Sequence, residues 1–279
     1  MKYILNDFII EEHVKNALKE DIGFWDITSN AIFNDEYEVK AKLVSRADGI
    51  LCGMNVVKTV FKILNPDIEV KILIHDGEKI KKGSLIAKIK GSCKDILTGE
   101  RIALNYVQRM SAIATLASKY VEAVKPYNAK VVDTRKTTPL FRAFEKYAVI
   151  TGGASLHRFN LSDCVMIKDN HIEYAGGIEQ AVKKVRENIS HAHKIEVETE
   201  NMIQVQEAID AGADIIMLDN MSIEDMEKAV EYINGRAIVE ASGNVTLENI
   251  NSIAATGIDI ISTSAMQTKA GTLDIGLDV

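Results

Sequence analysis

A short apolar strand followed by a helical pattern recurs from Lys130 onward, and this recurrence limits the available folds more than any other feature of the sequence. The predicted strands are 130–133, 164–167, 194–198, 214–218, 236–240 and 258–262. The predicted helices fill the intervals at 140–149, 178–188, 201–211, 223–233 and 246–255. Strands and helices that alternate in this way indicate an α/β fold with a parallel sheet.

A polar residue that could serve a functional site ends or follows each predicted strand. These residues are Arg135, Lys168, Glu198, Asp219, Ser242 and Ser264. From Lys168 onward, successive members of this set are about 20 to 30 positions apart. Because a (β/α) barrel collects functional groups from the carboxyl ends of successive strands, this distribution favours a barrel. A doubly wound open sheet would concentrate the groups at one switch point. Six units in place of eight predict an incomplete or irregular (β/α) barrel.

The region before the barrel has a mixed pattern that predicts an N-terminal α+β domain over residues 1–110. Residues 7–20 carry a helical stripe of apolar side chains, and residues 40–44 alternate as a strand does. The barrel domain is predicted over residues 111–267. The closing tail, 268–279, has no helix after it and could pack back on the N-terminal domain.

Composition and charge exclude several classes of protein. The net charge of −7 argues against a general nucleic-acid-binding protein. No apolar run approaches the 18 or so residues that a membrane-spanning helix needs, and the N-terminus becomes acidic too soon for a signal peptide. The three cysteines, Cys52, Cys93 and Cys164, lack CxxC spacing and are typical of a reducing compartment. We therefore expect a cytoplasmic protein.

Cationic side chains are concentrated between Asp133 and His171, against the acidic balance of the whole chain. Arg135 and Lys136 follow one predicted strand, Arg158 precedes the next, and Lys168 ends it. Cations delivered by two neighbouring strand ends predict a site for an anion that carries several negative groups.

Several sequence blocks resemble those of quinolinate phosphoribosyltransferases. The most specific are DTRKTTP at 133–139 and IKDNH at 167–171. The others are ERIALN (100–105), EKYAV (145–149), GG (152–153) followed by HR (157–158), EVE (196–198), LDN (218–220), EASGN (240–244) and LDIGLD (273–278). The chain departs from the usual pattern at Leu140 and Ser264, where glycine is common, and at Ala154, which ends what is often a triple glycine.

The resemblance implies the reaction and the roles of the charged residues. Quinolinate and phosphoribosyl pyrophosphate would give nicotinate mononucleotide, pyrophosphate and CO2, a step of NAD biosynthesis. Glu198 and Asp219 would position Mg²⁺ and the ribose hydroxyls, and the substrate's own phosphates would complete the metal site. Lys136 would contact phosphate. The other residues implied to bind substrate are Arg101, Arg135, His157, Arg158, Lys168, Ser242, Gly243, Asn244, Ser264 and Ala265.

Two of these assignments concern how the chain binds phosphate and how it assembles. Gly243-Asn244 and Ser264-Ala265 follow the last two strands, where barrels commonly bind phosphate through backbone N–H groups. Arg101 lies on a long predicted helix before the barrel, and the resemblance at ERIALN assigns it to the substrate of a partner protomer. The resemblance therefore implies a homodimer, or a hexamer built as a trimer of dimers, with shared active sites.

Two other classes of function stay open on the sequence alone. One is a related barrel transferase that acts on another base or on a metal-cofactor precursor. The other is a non-enzymatic carrier or scaffold, because residues 76–91 resemble the hairpins of biotin- and lipoyl-carrier domains. The lysines of that segment are scattered, with none singled out for modification, which argues against a carrier.

Overall fold

The computed structural model describes residues 5–34 and 37–278. Contacts between Cα atoms divide the chain into two compact units. Unit 1 contains Met1–Ser118, Thr138–Gly153 and Lys269–Val279, and unit 2 contains Lys119–Thr137 and Ala154–Thr268. This division differs from the predicted boundary between residues 110 and 111, chiefly because residues 138–153 belong to unit 1.

The secondary-structure elements are numbered along the chain. The helices are α1 (Asp7–Ile22), α2 (Ile27–Ile32), α3 (Met54–Leu64), α4 (Cys93–Val124), α5 (Arg142–Thr151), α6 (Asp169–Ala175), α7 (Ile178–Asn188), α8 (Met202–Asp210), α9 (Ile223–Ile233), α10 (Ile250–Ala255) and α11 (Ala265–Thr268). The strands are β1 (Glu38–Ser45), β2 (Gly49–Ile50), β3 (Glu69–Ile72), β4 (Lys79–Ile80), β5 (Leu85–Ser92), β6 (Lys130–Val132), β7 (Val165–Ile167), β8 (Ile195–Thr199), β9 (Ile215–Asp219), β10 (Ile238–Ser242), β11 (Ile260–Ser262) and β12 (Ile275–Asp278). In the part of the chain with described coordinates, no helix has both the length and the apolar character needed to cross a bilayer.

Unit 1 is built on an antiparallel sheet of four strands in the order β12-β1-β5-β3. The last strand of the chain, β12, pairs with β1 from Lys42 opposite Asp278 to Ser45 opposite Ile275. The tail after residue 267 therefore returns to the N-terminal sheet as an edge strand, where its backbone groups find hydrogen-bond partners.

Helix α5 belongs to unit 1, although the sequence pattern placed the corresponding helix, 140–149, in the barrel. Phe144 of α5 is fully buried and stacks on Phe141, with the ring centroids 4.8 Å apart. The rings of Tyr106 and His13 lie 5.3 Å and 4.6 Å from that of Phe144. This aromatic cluster draws α5 into unit 1, and local periodicity could not reveal it because its members are distant in sequence.

Asp76 stabilises unit 1 by capping helix α3 from a distant turn. Its carboxylate accepts the backbone N–H groups of Gly53 and Met54 and the hydroxyl of Tyr147, each at 3.0 Å. We expect Asp76→Ala to lower the free energy of unfolding by about 1–3 kcal/mol, because it leaves these donors without an acceptor. Urea unfolding would measure the loss, with the exposed Asp67→Ala as a control that should change little. An unchanged midpoint for Asp76→Ala would contradict this capping role.

Unit 2 contains a six-stranded sheet in the order β6-β11-β10-β9-β8-β7, and every pair in it is parallel. The strands from β7 to β11 lie side by side in chain order, and β6 lies next to β11. This order is cyclic, with a single opening between β6 and β7, and it lacks the reversal that marks a doubly wound sheet. The predicted incomplete (β/α) barrel is confirmed.

The strands of the barrel lie within two residues of their predicted positions, and α7 and α9 match the predictions at both ends. The agreement has a physical cause. Parallel strands are covered on both faces, so they appear in the sequence as continuous apolar runs that end where the first polar side chain meets the barrel mouth. The polar residues that end these runs lie at one end of the sheet, because all the strands are parallel.

Candidate active site

A cavity of about 270 Å³ opens at the carboxyl ends of the strands of unit 2. Its lining combines cations, carboxylates, hydroxyl groups and two methionines: Thr134, Arg135, Lys136, His157, Arg158, Met166, Lys168, Glu198, Met217, Asp219, Ser242 and Ser262. Eight of the predicted site residues are among these, and they come from most of the predicted strand ends. The volume suits a small, strongly charged ligand better than a polymer.

The cations of the cavity come from the segments that follow β6 and surround β7. Arg135 and Arg158 are half-buried, and Lys168 lies one residue after β7. The guanidinium of Arg158 donates to the carbonyl oxygen of Cys164 at 3.0 Å and to Sδ of Met166 at 3.4 Å. These contacts use two of its five N–H groups and set the plane of the fork, which matches a carboxylate of a planar ligand.

The carboxylates of the cavity lie on the neighbouring strands β8 and β9. Glu198 forms an ion pair with Lys168, and its side chain is only 16% exposed. Asp219 ends β9, and its Oδ2 accepts the side-chain amide of Asn220 at 2.9 Å. Two carboxylates supply the oxygen ligands that Mg²⁺ prefers, but too few to hold it without phosphate or water. The donor set therefore fits a metal that arrives with a phosphorylated substrate.

His157 lines the cavity and lies beside two buried carboxylates. Its Nε2 is 3.3 Å from Oε2 of Glu196 and 3.4 Å from Oε1 of Glu240. Burial lowers the pKa of His157, but the proximity of Glu196 and Glu240 outweighs it and raises that pKa to about 10. Burial also raises the pKa of Glu196, and the nearby charge of Glu240 acts in the same direction.

The backbone around His157 is held by a second buried carboxylate network. Asp133 is fully buried at the end of β6, and its Oδ1 accepts the backbone N–H of His157 at 2.9 Å. Its Oδ2 accepts the side-chain amide of Gln267 at 3.1 Å. The Nδ1 atom of His157 in turn accepts the backbone N–H of Arg158 at 2.7 Å. The first residue of the DTRKTTP block therefore anchors the HR block.

The predicted phosphate-binding residues Gly243, Asn244, Ser264 and Ala265 are described by the structure but lie outside the cavity lining. The backbone N–H of Ala265 donates to Oγ1 of Thr263 at 3.2 Å. This contact occupies a group that the sequence assigned to phosphate. The residues that do line the cavity on this side are the strand-end serines of β10 and β11.

Gly243 is required for a different contact. Its φ is +92°, and a Cβ atom there would lie 2.3 Å from Oδ1 of Asn220. The same Oδ1 accepts the side-chain amide of Asn244 at 2.9 Å. Gly243 therefore makes room for the asparagine pair that supports Asp219.

Arg101 lies on α4 in unit 1 and is exposed, whereas every residue of the cavity lining belongs to unit 2. Arg109, two turns further along the same helix, donates to the fully buried Glu145 at 3.0 Å and to the carbonyl oxygen of Gly271 at 3.1 Å. Arg109 is thus engaged within unit 1.

The three departures from the family pattern have different consequences. Leu140 has a φ of +63° and a side chain that is 91% exposed, so a leucine adopts a left-handed conformation that favours glycine, at a cost of about 1–2 kcal/mol. Ala154 and Ser264 do not occur among the non-glycine residues with positive φ. Of the three departures, only Leu140 therefore has a strained backbone.

Sequence reasoning assigned no role to Glu196 or Glu240, and it missed Asp133. The alternation of side chains between the two faces of β8 and β10 could have indicated Glu196 and Glu240. Because side chains two positions apart in a strand share a face, Glu196 shares the inner face with Glu198, and Glu240 shares it with Ser242. A glutamate inside an otherwise apolar strand is unusual enough to mark a special position.

The fold and the cavity together define a class: a (β/α)-barrel enzyme with cations and carboxylates at its strand ends for a phosphorylated substrate and a carboxylate-bearing one. The comparisons with known proteins narrow this class. Residues 26–111 match the model of the quinolinate phosphoribosyl transferase N-terminal domain, and residues 113–278 match that of its C-terminal domain. The chain belongs to the quinolinate phosphoribosyltransferase family.

Similar proteins span nearly the whole chain. A probable nicotinate-nucleotide pyrophosphorylase (carboxylating) of a Synechocystis species is 42% identical over 97% of this chain and 92% of its own length. The protein of the same name from Bacillus subtilis is 39% identical over 100% and 93%. The crystal structure of NadC from Streptococcus pyogenes has a TM-score of 0.95 at 40% identity, over 99% of this chain and 97% of that one.

Proposed function

We infer that this chain is a quinolinate phosphoribosyltransferase, the decarboxylating pentosyltransferase that makes nicotinate mononucleotide in NAD biosynthesis. The observation that carries this inference is the division of one cavity into a cationic side and a carboxylate side, in a chain that belongs to this family. In the reaction, the pyridine nitrogen of quinolinate forms a bond to C1 of the ribose as the bond from C1 to pyrophosphate breaks. The C2 carboxylate then leaves as CO2, and its bonding electron pair stays on C2 and takes up a proton.

The cations Arg135, Arg158 and Lys168 bind the carboxylates of quinolinate in this proposal. Planar guanidinium forks recognise carboxylates through two parallel hydrogen bonds, and this fixes the pyridine ring in the plane of attack. Once the ring nitrogen is ribosylated and positive, the electrons of the departing C2 carboxylate are stabilised beside that charge. The protein's contribution is therefore alignment and electrostatics.

Glu198 and Asp219 bind the phosphoribosyl donor, and Lys136 contacts its phosphates. The negative charge of the two carboxylates favours the oxocarbenium character that develops at C1 as pyrophosphate leaves. Mg²⁺, when bound with the donor, would neutralise charge on the leaving pyrophosphate. The ion pair between Lys168 and Glu198 connects the two sides of the cavity.

Release of CO2 from quinolinate tests the proposed function most directly. Purified protein with quinolinate, phosphoribosyl pyrophosphate and Mg²⁺ should release CO2 and form nicotinate mononucleotide. Nicotinate, which has one carboxylate, should be a poor substrate if the cations require two. Turnover of nicotinate in place of quinolinate would favour the related barrel transferase. A chain with neither activity, and with no thermal stabilisation by the quinolinate mimic phthalate, would be a carrier or a scaffold.

We expect Asp219→Asn to weaken binding of the donor in the presence of Mg²⁺ by roughly one to two orders of magnitude, as is common for changes at metal sites. Phthalate binding should stay nearly unchanged, because it depends on the cationic side. Titration calorimetry with each ligand would measure both, and the exposed Asp210→Asn on α8 is the matched control. Loss of phthalate binding in Asp219→Asn would mean that the two sides of the cavity are wrongly divided.

We further propose that the active form is a homodimer in which Arg101 of one protomer reaches the cavity of the other. Arg101 is exposed on a helix of unit 1, which supports a role outside its own barrel. Unit 1 also exposes a group of large apolar residues near its N-terminus, namely Phe24, Trp25, Ile27 and Ile32. Large apolar side chains that are exposed close together are typical of an interface between protein chains.

A cytoplasmic location is also part of the proposal. Cys52 and Cys93 are buried, Cys164 is partly buried, and all three are free thiols. Burial raises the pKa of each of these thiols, which keeps them protonated and unreactive. Free, unreactive thiols are typical of proteins from a reducing compartment.

A further inference from the structure

Two buried glutamates beneath the cavity are not explained by substrate or metal binding. Glu196 and Glu240 are 0% and 1% exposed, and neither lines the cavity. Among the described residues, both side-chain oxygens of Glu196 and Oε1 of Glu240 lack a hydrogen bond of ordinary geometry. Nε2 of His157 lies 3.3 Å from Oε2 of Glu196 and 3.4 Å from Oε1 of Glu240.

Burying two carboxylates side by side is costly. Each loses its hydration, and each repels the other. Apolar side chains of similar size would fill this layer of the barrel without that cost, as they do in most barrels of this kind. A favourable effect of the two carboxylates on the adjacent His157 would offset this free-energy cost.

The two glutamates come from alternate strands, β8 and β10, with β9 between them. Side chains from alternate strands share a layer only when the sheet is strongly curved, which is the geometry of a barrel interior. Each glutamate lies two residues before a cavity residue on the same face of its strand: Glu198 on β8 and Ser242 on β10. The pair therefore forms the layer directly below the cavity.

His157 is held on three sides. Its backbone N–H is bound by Asp133, its Nε2 faces the two carboxylates, and its Nδ1 accepts the backbone N–H of Arg158. Nε2 carries a proton both in the charged ring and in the neutral ring whose Nδ1 is an acceptor, so it donates toward the carboxylates in either form. The contact between Nδ1 and the N–H of Arg158 requires the neutral ring. The ring therefore contacts the backbone N–H of Arg158, and the guanidinium of Arg158 is held in turn by Cys164 and Met166.

We propose that Glu196 and Glu240 are positioning residues, which fix the His157 ring from below so that His157 and Arg158 are presented to a carboxylate of the substrate. The inference rests on the proposed function, because it assigns the cationic side of the cavity to quinolinate. In this proposal, Glu196 and Glu240 do not contact the substrate, but they align His157 and Arg158, which do. Outer-layer partners of this kind commonly change function by one to two orders of magnitude when removed.

The test uses Glu196→Gln and Glu240→Gln, which keep the shape of the side chain and remove its charge. We expect each to raise the KM for quinolinate and the Kd for phthalate by about tenfold. The KM for phosphoribosyl pyrophosphate should change by less than about twofold, because its ligands lie on the other side of the cavity. The exposed Glu207→Gln on α8 is the matched control and should leave all three constants unchanged.

Stability separates positioning from a merely structural role. Replacing one of two adjacent buried carboxylates by a neutral amide removes repulsion and desolvation, so the Tm of each glutamine variant should equal or exceed that of the wild type. If the glutamates were retained for folding, substitution would lower the Tm of the protein and would raise the KM values of both substrates together. Restoration of the quinolinate KM in Glu240→Asp, relative to Glu240→Gln, would add support.

Several outcomes would overturn the proposal. Folded glutamine variants with wild-type affinity for quinolinate and phthalate would show that the carboxylates do not align the site. Equal increases in both KM values, or failure of both variants to fold, would show that they support the fold instead. The wild-type assay distinguishes the two hypotheses. If the wild type releases no CO2 from quinolinate, the proposed function fails. If the wild type is active and the glutamine variants have the same constants, only the positioning inference fails.

Discussion

Arg158→Ala should raise the quinolinate requirement of the enzyme by a factor of tens to thousands. The estimate follows from the loss of a guanidinium that faces a carboxylate in a half-buried site, at about 2–5 kcal/mol of binding. Two contacts, to Cys164 and Met166, already hold this guanidinium in one plane, so little entropy is lost when it binds. The KM for phosphoribosyl pyrophosphate should change far less. Steady-state kinetics with each substrate varied in turn would measure both constants.

Arg158→Lys is the matched control for this prediction. It keeps the positive charge but not the fork, so it should recover only part of the lost affinity. Phthalate titration provides a second measurement that does not depend on turnover. If Arg158→Ala raised the KM values for quinolinate and for the donor equally, the assignment of Arg158 to the substrate carboxylate would be wrong.

Mixing two inactive variants should restore roughly a quarter of wild-type activity if the active site is shared between protomers. We expect the Arg101→Ala and Lys136→Ala homodimers each to be nearly inactive. In a mixed dimer, one cavity has its own Lys136 and receives an intact Arg101 from the partner subunit, and the other cavity lacks both. Random reassociation makes about half of the dimers mixed, each with one complete site of two.

A second pair of variants controls for recovery by other routes. Lys136→Ala and Arg158→Ala affect residues of the same cavity, so every site in their mixed dimer lacks one of the two, and mixing them should restore nothing. Subunit exchange would be verified by mass spectrometry of differently tagged protomers. Absence of recovery with Arg101→Ala, after verified exchange, would assign Arg101 to its own protomer's site or to no site.

The positions of the strands along the chain, and the residues at which they end, could be predicted because local sequence determines both. A buried parallel strand is a short apolar run, and the first polar residue after it lies at the same end of the sheet as the others. Lys168, Glu198 and Asp219 were found in this way, and the structure brings all three to one cavity. The DTRKTTP and IKDNH blocks then indicated the family through their resemblance to its sequences.

Which distant groups meet was decided only by the tertiary structure. Local periodicity shows that a helix buries a face but not what covers it, so α5 was placed in the barrel although its Phe144 packs in unit 1. The contact of Glu196 and Glu240 with His157 depends on the curvature of the whole sheet, since the two strands are not neighbours. The sequence determined which end of the barrel is functional, because strand direction is a local property. The packing of the layer beneath depends on the curvature of the sheet, which is a property of all six strands together.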